Sequence, residues 1–199
     1  MTRLFRRRVL AGGSVGAAVL AAVVLATGWW YGSSASGAPE FRGSLGPFQT
    51  QAKPAPMPAL SFVDAEGKAR SLDEFKGKIV LLNLWATWCG PCVEEMSSLD
   101  RLQARLAGEG FTVVALAMDK QGKPLVEPFL SKLGVKNLAM YLDTSGNATR
   151  ALKARGLPTT FLIDREGREI GRLEGAASWD SDAAAAFLSY WRDGGGKQT

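Results

Sequence analysis

The feature that most restricts this chain is the run VLAGGSVGAAVLAAVVLATGWWY, Val9–Tyr31, which holds 23 residues without a charge. As a helix it rises roughly 35 Å, more than the about 30 Å of a bilayer's hydrocarbon core. A buried core helix is disfavoured, because the run is apolar on every side and long enough to span. Arg3, Arg6, Arg7 and Arg8 precede it, and no acidic residue comes before Glu40. The positive-inside rule therefore places residues 1–8 in the cytoplasm as a basic arm and 9–31 as a transmembrane anchor, with Trp29, Trp30 and Tyr31 at the far interface. Everything after them is expected outside. A signal peptide cleaved near Ser33–Ala38, or a twin-arginine signal read from Arg7-Arg8, is the rival reading. No cysteine follows the run closely, so a lipid anchor is excluded.

The arm also accounts for the charge. The net +5 contains its four arginines, and the remaining 20 basic residues nearly balance 19 acidic ones. No basic stripe of the kind that nucleic-acid binding needs is left. Histidine is absent. That excludes Ser-His-Asp and Cys-His hydrolases and Cys/His zinc fingers together.

Residues 32–58, rich in Gly, Ser, Ala and Pro, read as a flexible tether. Residues 59–192 read as one domain, and 193–199 as a disordered tail. The domain opens on a predicted hairpin around Asp64–Gly67, followed by a helical turn capped by Ser71. Ile79–Trp85 and Phe111–Met118 are nearly continuous apolar runs, as expected of strands buried on both faces. Between them Val93, Met96, Leu99, Leu102 and Leu106 recur at helical spacing. Leu125–Leu133 and Ser145–Ala154 read as helices, Leu138–Leu142, Pro158–Asp164 and Glu169–Glu174 as strands, and Trp179–Trp191 as the last helix. The alternation defines an α/β domain with a mixed sheet.

The chemistry concentrates in WATWCGPCVEEM, Trp85–Met96, which carries both cysteines of the chain, Cys89 and Cys92. A closed zinc site needs four ligands, and one pair without histidine does not supply them. Two thiolates could hold a cuprous ion. A structural bridge across so short a loop removes little unfolded-chain entropy. The redox reading fits the position best. Pro91 sits where a first helical residue often sits. Helix-terminal N–H groups and the dipole then stabilise a thiolate on Cys89. Cys89 is the expected exposed nucleophile, and Cys92, one turn further in, the buried resolving thiol.

Trp85–Cys92 with its WCGPC core, together with Gly156-Leu157-Pro158-Thr159-Thr160, resembles the thioredoxin superfamily over about residues 59–191. FKGKIVLLNLWATWCGPC, GLPTTFLIDREG and EGAASWDS look closest to the TlpA/ResA group of membrane-anchored thiol:disulfide interchange proteins. The resemblance implies a thioredoxin fold with an N-terminal β-hairpin extension and a central β–α insertion, supplied by Gly122–Leu142. It implies a cis Leu157–Pro158 bond beside the cysteines. Trp88, Gly90, Pro91, Leu157 and Pro158 would then form the substrate-binding surface. It implies no cofactor beyond the redox-active Cys89–Cys92 disulfide, and no metal. Asn83 stands where thioredoxin has a buried aspartate, and it cannot titrate. Glu95 stands where TlpA and ResA relatives carry an active-site glutamate, one turn from Cys92, and could handle its proton. An acid in a first helical turn also simply suits the dipole.

The implied activity is that of a monomeric, periplasmic protein-disulfide reductase held in a bacterial inner membrane. A protein of the copper-site assembly machinery or a cytochrome oxidase subunit would be its substrate, and a membrane electron carrier would re-reduce it. Apocytochrome c is the alternative substrate. Relatives specialised for it carry a glutamate after the cis proline, where this chain has Thr159. The same cysteine pair would also serve a disulfide oxidase or isomerase, or a copper(I) chaperone. No nucleic-acid partner is expected.

Overall fold

The computed structural model of the chain describes residues 37–195, apart from residues 107 and 109. The basic arm and the Val9–Tyr31 run lie outside the described residues. Among the described residues no helix is long and apolar enough to cross a membrane.

The core is built on Ile79–Trp85 (β6), all seven residues of which are buried. Phe111–Ala117 (β7) pairs with it in parallel, and Thr159–Ile163 (β9) pairs antiparallel on its other side. Both neighbours are buried along almost their whole length, with threonine the only polar residue type in either, as suits strands covered on both faces. The remaining strands are Gln49–Pro56 (β3), Ser61–Asp64 (β4), Ala69–Ser71 (β5), Tyr141–Leu142 (β8) and Arg168–Glu174 (β10). The sheet runs β3-β10-β9-β6-β7-β8-β4-β5. Its helices are Gly90–Leu106 (α1), Lys123–Lys132 (α2), Asn147–Ala151 (α3) and Asp182–Arg192 (α4). This is the thioredoxin arrangement. The expected hairpin is β4–β5, paired from Ser61↔Ser71 to Val63↔Ala69. The expected insertion is α2 and β8, with β8 joining β7 in parallel.

The helix α1 links β6 to β7. It buries Cys92, Met96, Leu99 and Leu102, but also Glu95, Ser98 and Asp100. An apolar period alone does not anticipate three polar groups on the inner face. Each has partners there. Asp100, for example, accepts from the backbone N–H groups of Lys136, Asn137 and Leu138, and so pins the insertion to the helix.

The stretch read as tether, 32–58, carries ordered structure over much of its length. Arg42–Gly43 (β1) and Gly46–Pro47 (β2) form a small hairpin, and β3 is an outer strand of the main sheet, antiparallel to β10. Pairing is interrupted at Ile170, between Glu169↔Ala55 and Gly171↔Thr50. Gly171 is required there: a Cβ on it would lie 2.3 Å from the Gln49 carbonyl oxygen. Phe41 and Phe48 anchor the stretch by stacking around Phe187 of α4, at centroid distances of 5.6 and 4.7 Å. The correction has a physical reason. Main-chain ladder bonds hold β3, and a polar, proline-containing sequence gives no sign of them.

At the other end, the helix expected over Trp179–Trp191 begins only at Asp182, where Ser181 accepts from Ala184 N–H as its cap. Trp179 lies in the preceding loop, fully buried. The tail expected from residue 193 stays folded for its first three residues, with the Asp193, Gly194 and Gly195 N–H groups donating to Ser189, Trp191 and Tyr190. Residues 196–199 lie outside the described residues.

Candidate active site

Strand β6 ends at Trp85 and the chain turns through Ala86–Cys89 into α1. The turn is held by Asp119, just past β7. Its carboxylate accepts from the Thr87 backbone N–H at 3.0 Å and from the Thr87 hydroxyl at 2.6 Å. The expected pair is joined as a disulfide, with Cα atoms 5.3 Å apart. Cys92 is wholly buried and Cys89 retains 7% of its surface. Cys92 is the deeper of the two, as expected, but Cys89 is itself buried rather than exposed. The Cys92 backbone N–H points at Cys89 Sγ from 3.3 Å. In the reduced protein the same donor would favour thiolate on Cys89.

The proposed substrate surface surrounds that sulfur unevenly. Trp88 is 71% exposed, one of two large apolar side chains so exposed among the described residues. Gly90 and Pro91 are exposed at the helix start, and a Cβ on Gly90 would meet nothing. The Leu157–Pro158 peptide is cis. Pro158 is buried and immediately precedes β9, whose Thr159 pairs with Leu84 at the same end of the sheet as the cysteines. The Pro158 carbonyl accepts from Gly175 N–H at 3.0 Å, so its backbone is already engaged within the domain.

Behind the disulfide lies Glu95, 2% exposed. Asn83 of β6 donates its amide to Glu95 Oε1 at 2.7 Å. Ala177 N–H and the Trp179 indole N–H donate to Oε2 at 3.0 and 2.9 Å. Burial pushes the carboxyl up to about 7, against the opposing pull of these three donors. Asn83 also donates to Thr160 Oγ1 at 2.9 Å, and its own oxygen has no partner. Asn83, which stands where thioredoxin has a buried aspartate, thus holds the Glu95 carboxyl in place. The inner partners Ala177, Trp179 and Thr160 escape a reading of sequence alone, although Ala177 and Trp179 belong to the phrase EGAASWDS. Asp119 escapes it too, since nothing in AMDK marks the aspartate as bound to the active-site turn. Among the described residues no group of three or more His, Cys, Asp and Glu side chains is placed to hold a metal.

A vicinal cysteine pair at a helix start, on this fold and backed by a titratable acid, defines a thiol:disulfide oxidoreductase of the thioredoxin superfamily. Known proteins agree. The redoxin family profile matches residues 52–187. The thiol-disulfide oxidoreductase ResA of Bacillus thuringiensis subsp. konkukian is 35% identical over 118 residues, 59% of this chain and 67% of the relative. A Chlorobium tepidum structure assigned as thiol:disulfide interchange protein DsbE aligns at TM-score 0.63 and 28% identity, over 72% of this chain and 99% of its own. A second Chlorobium tepidum structure, a thiol:disulfide interchange protein of the thioredoxin family, aligns at TM-score 0.55 and 30% identity, over 69% and 99%. The chain belongs to the redoxin family, within its TlpA/ResA-like group.

Proposed function

We propose that the protein works as a reductase of protein disulfides, held at the outer face of a bacterial inner membrane by residues 9–31. In its dithiol form, the Cys89 thiolate attacks one sulfur of a substrate disulfide. A mixed disulfide forms and the first substrate thiolate leaves. Cys92 passes its proton to Glu95 and attacks Cys89 Sγ. The Cys89–Cys92 bond forms, and the second substrate thiolate leaves with the electron pair. Two electrons have then moved to the substrate. A membrane dithiol donor restores the starting state.

The observation that carries this reading is the buried Glu95, one helical turn from Cys92 and poised near neutral pH. A group tuned there exchanges a proton at physiological pH, as a resolving thiol requires. Gly-Pro between the cysteines matches thioredoxin, which lies toward the reducing end of such couples. Trp88 and the partly exposed Leu157 offer an apolar margin for the substrate segment, with Pro158 packed behind. Thr159, where apocytochrome-specific relatives carry glutamate, favours copper-site assembly in cytochrome oxidase biogenesis as the setting.

A Cys92→Ser trap tests the assignment. The variant retains Cys89 and should accumulate a mixed disulfide with its substrate, whose identity mass spectrometry reads. Recovery of a copper-site assembly factor or oxidase subunit is expected. Recovery of apocytochrome c would move the protein to cytochrome c maturation. The potential of Cys89/Cys92, measured against glutathione, is expected near thioredoxin's; a value near DsbA's would make it an oxidase.

A further inference from the structure

Glu95 Oε2 depends on two donors, the Ala177 N–H and the Trp179 indole, both in the loop after β10. Each is backed by the N-terminal hairpin. The Ser44 N–H donates to the Ala176 carbonyl at 2.8 Å. That carbonyl and the Ala177 N–H belong to one peptide unit, so a single plane is gripped by Ser44 on one side and by Glu95 on the other. Such in-line bonds polarise one another. The Phe41 ring lies 5.1 Å from the Trp179 ring, tilted by 45°, and steadies the second donor. The hairpin is pressed close: a Cβ on Gly43 would meet Leu173 Cδ2 at 2.8 Å and the Ala176 oxygen at 2.9 Å.

We propose that the hairpin at residues 41–48 is a positioning device for the active-site acid, with Phe41 and Ser44 holding the two donors that fix Glu95 Oε2. The inference rests on the reading of Glu95 as acceptor of the Cys92 proton. It extends the site to a segment that precedes β3 in the chain. A cleft of about 730 Å³ separates the hairpin from α1 and reaches Glu95. The charged side chains facing it are Glu40 and Arg42 from the N-terminal segment, Glu94 and Arg101 from α1, and Asp180 from the loop. Arg101 and Asp180 pair at 2.7 Å. None of these charges is among the bonds that hold Glu95, which come from Asn83, Ala177 and Trp179.

The test follows the titration of Glu95 by carboxyl carbon-13 NMR on the full-length disulfide form, with Glu95→Gln assigning the signal. Ser44→Pro deletes the grip on the peptide unit, and Phe41→Leu loosens Trp179 without opening a large void. Both are expected to raise the midpoint by about half a pH unit or more, because donors that favour the carboxylate are weakened. Phe41→Tyr should restore it, and Lys53→Gln, an exposed change on β3, should leave it alone. A midpoint within about 0.2 unit of wild type in both variants, or a fall, overturns the proposal. The pH profile of thiol alkylation in the reduced protein separates this from failure of the underlying reading. If Glu95→Gln changes that profile while the hairpin variants leave the midpoint in place, the hairpin proposal alone is wrong. If the midpoint moves but the alkylation profile ignores even Glu95→Gln, the hairpin's hold on Glu95 stands and the proton-acceptor role falls.

Discussion

Two acids on the inner face of α1, Glu95 and Asp100, are five residues apart and pulled in opposite directions. Both are nearly buried, and both accept several hydrogen bonds. Burial raises Glu95 to about 7 despite its three donors. Burial also acts upward on Asp100, yet the bonds from Asn137, Lys136 and Leu138 hold its carboxyl below the ordinary value. The difference lies in depth and in donors together. Glu95 sits behind the disulfide against Trp179, whereas Asp100 lies where the helix meets the insertion and keeps some contact with water. Donor number differs as well: Asp100 accepts four hydrogen bonds and Glu95 three. Deep burial leaves one acid able to exchange a proton, and shallow burial with a ring of backbone donors turns the other into a clamp.

The sharpest way to break this comparison is to remove the clamp. Asp100→Ala strands the donors of residues 136–138 and should cost about 4 kcal/mol, read by denaturant unfolding, while the pH profile of thiol alkylation stays as in wild type. A shifted profile would mean the two acids are not separate devices.

The next effect concerns the sign of the pH dependence. Glu95 keeps its proton to about pH 7 in the folded protein but loses it near 4.5 when unfolded. Its contribution is complete below pH 4.5 and is lost as pH rises to 7, a change of roughly 3 kcal/mol. In Glu95→Gln that part of the slope should vanish, as unfolding of the disulfide form at the two ends of the window will show. Asp100, with its lowered value, contributes in the opposite sense, losing its stabilisation as the solution is acidified. Smallest is the effect of Asn83→Leu. Loss of this donor should raise the Glu95 midpoint by about one unit, roughly 1.4 kcal/mol, again by carboxyl NMR.

The legible parts of this molecule are those where burial leaves a local trace. Ile79–Trp85 announces a central strand because every residue in it is apolar but Asn83, and WCGPC announces its chemistry because the two thiols must be one turn apart. Glu95 is visible only through resemblance, since an acid in a first helical turn has a plain electrostatic reason to be there. What makes it special lies far off in the chain, at Ala177 and Trp179. The same distance hides the strand β3 and the hairpin before it. Their bonds are main-chain bonds to β10 and to Ala176, and the only side-chain trace is Phe41 and Phe48 set in a polar, proline-rich stretch. Asp119 is hidden likewise, because its partner Thr87 lies 32 residues earlier.

The strand β3 bears on the company the protein keeps. In the function proposed above the protein would meet client chains with unpaired backbone, and a bare sheet margin would recruit them as extra strands. Here that margin carries Pro54 and Pro56, which have no N–H to offer, and the opposite margin is β5, only three residues long. Such short or proline-bearing margins are how sheets avoid polymerising. For the proposed reductase, such margins would leave the helix start as the place where a client engages, so that an encounter would end in exchange rather than in co-aggregation.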